Sequence, residues 1–431
     1  MASYEVRDPI HKRIWFDGYE RKVIDHPFSQ RLRFVNQLSF LLSYVYPGGV
    51  HDRFSHALGA MHVAGRLFAR FLASSNALSS RFSGEELEAL RRRVRLGGLL
   101  HDIGHGPFSH SSETVFPRLR ALPLERSWWK EIPDRQAKHE DYSVLLIQTL
   151  VAEGILDAEL ARDVASLVHA GVTPSPFFDG IERKAPTLHA ILKSIVSGEV
   201  DCDRMDYLLR DSYYCGVAYG QYDLDWLISS MGVAEQGGKL VFALSENGVR
   251  AFEDMLLARY HMIDQVYFHK TKAGFTHCLE QAISSGEITL EIPSDPYAYA
   301  ELRDGKVIEQ LFEAAKDPKN EWSRRLMRRE APKRILRLHP DRFDDRETLE
   351  ELKRRCEAKG VRWFTHSAGS ELSHFGEGSD SASMMYVAKK TVSGIEFVPI
   401  FKYSDLLQKY NERLRFTDFF VLREDAARLG R

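Results

Sequence analysis

From Ser29 to Ile283 apolar residues recur at three- and four-residue steps, and this helical period constrains the fold more than any other feature of the chain. After the turn Pro47-Gly48-Gly49, the segment RFSHALGAMHVAGRLFARFL sets Leu58, Met61, Gly65, Phe68 and Leu72 on one face of an amphipathic helix. VRLGGLLHDIGH is too continuously apolar for a solvent-facing helix. It belongs in a core, and Pro107 is expected to end it. EDYSVLLIQTLVAEG, LARDVASLVHAG and LHAILKSIVSG read as further helices, the last two stopping at glycines suited to left-handed caps. GGKLVFAL (237–244) is the clear strand candidate of this half, one arm of a hairpin. A mainly α unit over 1–285 follows.

The pattern changes near Gly286. Strand-like alternation or β-branched content marks 287–292, 334–338, 361–364, 384–390 and 395–401, with helices near 304–315 and 404–414, the second capped by Ser404. A Gly/Ser-rich stretch, 366–383, reads as a loop. We therefore expect a smaller mixed α/β region over 286–431 that packs on the first unit and takes part in oligomer contacts.

A chain of 431 residues fits two to three domains or one large one, and 44% hydrophobic with 28% charged residues is ordinary for a soluble protein. The net charge of -2 supplies no global field for nucleic acid or anionic lipid. Cys202, Cys215, Cys278 and Cys356 form no CxxC pair, which argues against a structural zinc site or a disulfide framework and fits a reducing cytosol. The first residues, MASYEVRDPIHKRIW, lack the apolar core of a signal peptide, and no run approaches 18 uncharged apolar residues. The expectation is a cytoplasmic protein without a membrane span.

Chemistry concentrates in GGLLHDIGHGPFSH, where His101, Asp102, His105 and His110 fall within ten residues. A His-Asp dipeptide alone is weak evidence, and His51-Asp52 follows a turn with nothing evident behind it to hold a ligand. His101-Asp102 ends a buried helix, where neighbours can lock both side chains. The competing reading is a set of helix-terminal histidines stabilised by the helix dipole. Two other stretches shift the balance. RFSH starts a helix with His56. In EVDCDRMDYLLRD a helix aligns Asp203, Arg204, Tyr207 and Asp211 along one stripe, suited to a cleft wall or to a solvated, ion-paired face.

Together RFSH, LLHDIGHGPFSH and VDCDRMDYLLRD resemble the HD-domain metal-dependent phosphohydrolases. Within them they resemble the deoxynucleoside triphosphate triphosphohydrolases, the group that contains bacterial dGTPases and the human SAM-and-HD-domain dNTPase. DPIH at 8–11, QRLRFVNQL at 30–38, YPGGVHDRFSH at 46–56, HE at 139–140 and YFHK at 267–270 extend the resemblance, which runs from about Asp8 to Gly274 and thins toward Arg337. No SAM domain is expected before it. It implies an HD-domain helical bundle in which His56, His101, Asp102 and Asp203 hold a divalent metal. Two imidazoles with two carboxylates suit Mn, Fe, Ni or Mg. The implied reaction is attack on the α-phosphorus of a dNTP, releasing deoxynucleoside and triphosphate. His110 is the implied proton donor to the leaving oxygen. His105 contacts phosphate, and the His139-Glu140 pair supports or relays protons. Arg53, Arg204, Arg259 and Lys270, with His269 nearby, match the phosphate-binding cations. Gln37, Leu38, Tyr207 and Asp211 match the substrate pocket near the sugar, and Tyr267 matches the aromatic that favours deoxyribose.

Departures accompany the matches. Ile263 stands where the human relative has histidine, and Arg204 where it has lysine. Asp25, Gln30, Arg31 and Arg33 match part of an activating-nucleotide site between subunits, whereas Tyr4, Ser230 and Asn247 stand where basic residues would hold phosphates, so activation is expected to be altered or absent. The implied assembly is a homo-oligomer, dimer or tetramer. His62, His169 and His189 lie outside any motif and read as structural. The basic run 324–337 reads as a solvated helix face, with nucleic-acid binding the less favoured alternative. Trp128-Trp129 lies in a proline-flanked loop over the cleft or an interface. The competing functions are an HD phosphohydrolase acting on a monophosphate or signalling nucleotide, and a nucleic-acid-binding HD protein.

Overall fold

Asp52 starts the central helix: its side chain accepts the Ser55 N–H at 2.7 Å and launches Arg53–Ser74. The helix Gly84–Leu100 packs against it through glycine. A Cβ on Gly98 would lie 2.9 Å from the Ala60 carbonyl oxygen, so the two backbones approach more closely than any other residue allows. The helix Cys202–Cys215 crosses the same scaffold at Gly59, where a Cβ would fall 1.8 Å from Asp206 Oδ1. Two of these helices carry His56 and Asp203, and His101 and Asp102 directly follow the third.

This computed structural model describes residues 3–339, 342–370, 373, 375, 384–410 and 414–430. The architecture is mainly α, with small sheets and two large apolar cores. One core gathers the inner faces of Arg53–Ser74, Leu188–Ser197, Cys202–Cys215 and Val249–Met262 around Leu67, Leu208 and Phe252. The other joins the chain's first strands to His139–Ala152, Ala158–Val168 and Lys270–Ser284 around Leu99, Leu146 and Phe275. A small third core holds Leu352, Cys356 and Phe419.

Nine strands form three sheets among the described residues. β1 (Ser3–Asp8) and β2 (Lys12–Asp17) make an antiparallel hairpin. β3 (Met231–Gln236) and β4 (Lys239–Ser245) pair as the expected hairpin, and β7 (Met385–Thr391) and β8 (Gly394–Pro399) extend it in the order β3-β4-β7-β8. The β4–β7 contact is parallel, from Phe242↔Met385 to Ser245↔Ala388, so one sheet draws on both sides of Gly286. β5 (Lys333–Leu338), β9 (Leu414–Val421) and β6 (Trp363–Ser370) form the third sheet, with β9 central.

Several expectations need correction. The Gly84–Leu100 helix stops well before Pro107, and His101 to Gly104 form a turn. Gly198 has φ -119°, not a left-handed cap, and Ala158–Val168 ends before Gly171. Segment 287–292 alternates as a strand would, burying Ile288, Leu290 and Ile292, but it pairs with no strand. The Thr289 N–H instead donates to Gln310 Oε1 at 3.0 Å. Ser404 does cap a helix, Asp405–Tyr410, with Oγ accepting from Leu407 N–H at 3.2 Å. Of the 366–383 stretch, β6 occupies the start, and 371, 372, 374 and 376–383 lie outside the described residues. The basic run 324–337 is mostly engaged in internal contacts. Arg325 pairs with Glu321 and Glu424, and Arg334 and Arg337 converge on buried Asp418. No helix among the described residues is long and apolar enough to cross a membrane.

Candidate active site

The turn after Gly84–Leu100 aims the His-Asp pair. Its carbonyls, orphaned by the helix end, are each met: Ser143 Oγ donates to His101 O at 2.8 Å, Arg31 Nη2 to Ile103 O and His105 O at 2.8 Å, and Tyr299 OH to Gly104 O at 2.6 Å. Gly104 admits no side chain, since a Cβ would sit 2.2 Å from both His139 O and Ser143 N. That close crossing brings His139 onto His105, with the rings stacked at 3.7 Å.

His56, His101 and Asp102 offer ligand atoms within 4.8 Å of one another. His56 Nε2 stands 3.3 Å from His101 Nε2, and Asp203 Oδ1 lies 3.0 Å and 3.5 Å from these two atoms. The far nitrogen of each imidazole is fixed: His101 Nδ1 bonds Gly98 O at 2.8 Å, and His56 Nδ1 bonds Asp206 Oδ2 at 2.8 Å. Both Nε2 atoms are thereby presented to one point. Burial opposes charge there, yet hydrogen bonds to Asp203 and Asp206 push His56 up to about 10, and Asp102 and Asp203 raise His101. Against the same burial, the two histidines hold Asp203 well below the usual carboxylate range. A donor set that gathers protons so strongly is built for a cation, and two imidazoles with two carboxylates fit a divalent ion.

Asp206 went unnoticed in the sequence. It is fully buried and accepts from Arg210 Nε at 2.8 Å, from Arg210 Nη2 at 2.9 Å and from His56, while His11 Nε2 lies 2.6 Å away. Arg210 Nη1 in turn donates to Asp8 Oδ2 at 2.8 Å, tying the first hairpin to the ligand shell. The spacing that places Asp203 on the cleft stripe hides Asp206, three residues on, among the core positions.

The site opens into a cleft of about 710 Å³. Asp102, Asp203, His105, His139 and Glu140 line one part. His105 Nε2 is 3.3 Å from Asp102 Oδ1, and burial with nearby Arg53 and His139 holds the His105 imidazole well below the ordinary histidine value, so it is neutral. His139 Nδ1 bonds Glu113 Oε1 at 2.6 Å and stands 3.7 Å from Glu140, so Glu113 is the nearer carboxylate. The side chain of His110 lies outside the described residues. The backbone before it is strained: Phe108 and Ser109 have φ of 59° and 53°, uncommon for side chains with a Cβ. Asp304 Oδ1 accepts the Phe108 N–H at 2.9 Å, and Arg53 Nε donates to Ser109 Oγ at 3.0 Å.

Arg53, Arg204 and Arg259 also line the cleft. Arg53 pairs with Asp102. Arg204 and Arg259 each stand 3.4 Å from Glu199, which holds them side by side. Gln37, Leu38, Tyr207, Asp211, Tyr267 and Ile263 continue the wall, the last two on a π-helical turn, Ile263–Tyr267, where Phe268 N–H reaches back to Ile263 O at 2.9 Å. Gln37 Oε1 is buried with no partner among the described residues, an acceptor awaiting a donor. Asp211 accepts from Tyr267 OH at 2.7 Å, and His51 Nε2 lies 2.8 Å from its other oxygen. The His51-Asp52 pair therefore has something behind it: one residue steadies Asp211 and the other caps the helix of His56.

Three expected residues stand elsewhere. His269 and Lys270 are not on the cleft wall. His269 caps Lys270–Ser284, and Lys270 is exposed, whereas Lys272 takes the place in the cleft. Arg31, expected at an activator site, is buried against the carbonyls of the His-Asp turn and over the Tyr299 ring. Asp25, Gln30 and Arg33 remain near the surface, where Gln30 Oε1 accepts from Arg33 Nε at 2.8 Å and Asp25 pairs with Arg21 at 3.0 Å. His62, His169 and His189 are packed inside, His169 against Asp141 at 3.2 Å and His189 against Ser166 Oγ at 2.9 Å. Trp128 and Trp129 are buried, with Trp129 against His169.

Comparison with known proteins agrees with this geometry. Residues 53–195 match the HD domain and residues 222–367 the HD associated region, so the chain carries an HD domain followed by its associated region. It is 32% identical over 62% of its length to an uncharacterized Methanocaldococcus jannaschii protein, covering 46% of that protein. It is 26% identical over 98% of its length to a Dictyostelium discoideum deoxynucleoside triphosphate triphosphohydrolase SAMHD1 homolog, covering 74% of it. The crystal structure of a hypothetical protein from Aquifex aeolicus, 28% identical, superposes with a TM-score of 0.72 over 99% of this chain and 98% of that one. The chain spans about half the length of the archaeal relative and of a comparable one from Bacillus subtilis.

Proposed function

We propose that the protein hydrolyses deoxynucleoside triphosphates at the α-phosphorus, releasing a deoxynucleoside and inorganic triphosphate. The observation that carries this reading is the convergence of His56, His101, Asp102 and Asp203 at one point of a cleft that Arg204 and Arg259 also line. Relatives named as SAMHD1 triphosphohydrolases support the substrate class. His56, His101, Asp102 and Asp203 would hold a divalent ion, and its chemistry there would be to ease deprotonation of an attacking water and to polarise a phosphoryl oxygen. The remaining steps fall to side chains. Arg204 and Arg259, steadied by Glu199, bind the triphosphate as a pair of forks. Neutral His105 donates to a phosphate oxygen. His110 delivers the proton to the departing 5′-oxygen, and His139 with Glu113 and Glu140 exchanges protons at the rim. Asp211 and Tyr267 meet the sugar. A monophosphate would carry too few phosphate oxygens to engage Arg204 and Arg259 together. The engaged basic run at 324–337 removes the main support for a nucleic-acid role. By the same reading the protein is a cytoplasmic homo-oligomer, with Asp25, Gln30 and Arg33 the residues left for an activating nucleotide.

The test is chromatographic separation of products from Mn²⁺-loaded protein given each dNTP and NTP, alongside Asp203→Ala. Triphosphate and deoxynucleoside are expected from wild type, with a loss of more than about 100-fold in the variant. Orthophosphate as first product, or equal rates in both proteins, would overturn the proposal.

A further inference from the structure

One wall of the cleft is unused by the reaction just described. Lys272, Thr276 and Glu280 follow one another at four-residue steps along Lys270–Ser284, and all three line the cleft, as does His366 from β6. The opposite faces of the same helix are spoken for: Phe275, Cys278 and Leu279 lie in the core, and His277 stacks on Phe364 at 3.6 Å. The cleft-facing stripe is thus available to whatever enters.

Glu280 makes no hydrogen bond or ion pair among the described residues, and no charged neighbour tempers it; burial alone raises its carboxyl above the ordinary glutamate value. A partly buried carboxylate without a donor is costly unless a ligand provides one. Lys272 is its counterpart. Its ammonium has only a 3.5 Å approach to Tyr267 O, and burial lowers it to about 8 despite Asp211 nearby. Lys272 and Asp418 both bear electrostatically on His366, whose imidazole makes no hydrogen bond among the described residues. This part of the cleft therefore offers a lone acceptor pair at Glu280 and a donor at Lys272 from the helix, with a further donor at His366 from β6.

We infer that this stripe reads the nucleobase, and that it selects guanine, an inference that rests on the nucleotide reading of the cleft. Guanine is the base whose pairing edge presents two adjacent donors, N1–H and the N2 amino group, matched to the two oxygens of a carboxylate. Its O6 and N7 are acceptors for Lys272 and His366. Adenine and cytosine would set a ring-nitrogen acceptor against Glu280, and thymine would meet it with a single N3–H donor flanked by two carbonyl oxygens. Each mismatch leaves a buried group unpaired, which is how hydrogen-bonding sites reject near-isosteres.

The discriminating probe is dITP, which is dGTP without the N2 amino group. Rates and equilibrium binding are measured for dGTP, dITP and dATP with the Mn²⁺-loaded full chain and with Glu280→Gln. For wild type, dGTP is expected to exceed dITP by about tenfold and dATP by about 10- to 100-fold, and Glu280→Gln is expected to collapse both ratios toward one. Equal handling of dGTP and dITP by wild type overturns the inference without recourse to any variant, as does an unchanged dGTP-to-dITP ratio in a folded Glu280→Gln protein. If binding ranks the three nucleotides as expected while no triphosphate is released, the reaction falls and the base reading stands. If triphosphate is released from all three at equal rates with equal binding, the reverse holds.

Discussion

Asp206 shows how much of a metal site lies behind its ligands. It fixes His56 while being fixed by Arg210, and Gly59 leaves the space that its carboxylate fills. Asp206→Asn keeps one acceptor and the side-chain shape but loses charge opposite a buried guanidinium. A roughly 10- to 100-fold weaker Mn²⁺ affinity is expected, measured by calorimetric titration against wild type. Unaltered affinity would reduce Asp206 to a packing residue. The four ligand candidates were legible because each sits in a short motif with a distinct neighbour set. Asp206, Glu199 and Glu113 were not, because a carboxylate acting through another side chain carries no spacing signature. Lys270 and Lys272 show a related limit: two lysines two residues apart at a helix start point in different directions, and only the helix axis decides which one enters the cleft.

At the scale of elements, the strained turn at Phe108 and Ser109 is held from a distance. Asp304, at the start of the helix Asp304–Ala314, accepts N–H groups from both Phe108 and Asn36, at 2.9 Å and 3.0 Å, and burial raises its carboxyl to about 6. Left-handed backbone at two successive residues with side chains costs of order 1–3 kcal/mol each, so the turn persists only while such contacts over-determine it. Asp304→Ala is expected to lower kcat by at least about tenfold, through misplacement of the segment bearing His110, together with a measurable fall in Tm. A normal kcat would show that the turn holds itself. The helices of the first half were legible from period alone. The β1–β2 hairpin was not, since its alternation is charged and half-exposed, and β9 escaped notice because its Asp418 resembles a loop residue until Arg334 and Arg337 are placed on it.

Across the whole molecule, several histidines are kept neutral inside the fold. Burial holds His62, His189 and His277 down to about 4, with neighbouring cations adding to the effect at the first two. In the unfolded chain each takes up a proton near 6.5, whereas in the native protein each does so only near 4. Unfolding in that window therefore binds protons, and stability rises with pH across it. Each such proton contributes a slope of up to about 1.4 kcal/mol per pH unit. Asp304, raised by burial, acts in the opposite sense over part of this window, so the histidine contribution is read by difference: in thermal melts His277→Phe is expected to lose less Tm between pH 7 and pH 5 than wild type does. An identical pH dependence in the two proteins would contradict the burial of this ring.

The parallel pairing of β4 with β7 sets a condition on how the chain is made. About 140 residues separate Phe242 from its partner Met385. At about 5–20 residues per second, the ribosome delivers the second strand some ten to thirty seconds after the first. Throughout that interval β4 offers an unclaimed edge lined with Leu240, Val241, Phe242 and Leu244, the kind of edge that pairs with strangers. A nascent chain stalled before β7 should thus be the form that holdase chaperones retain.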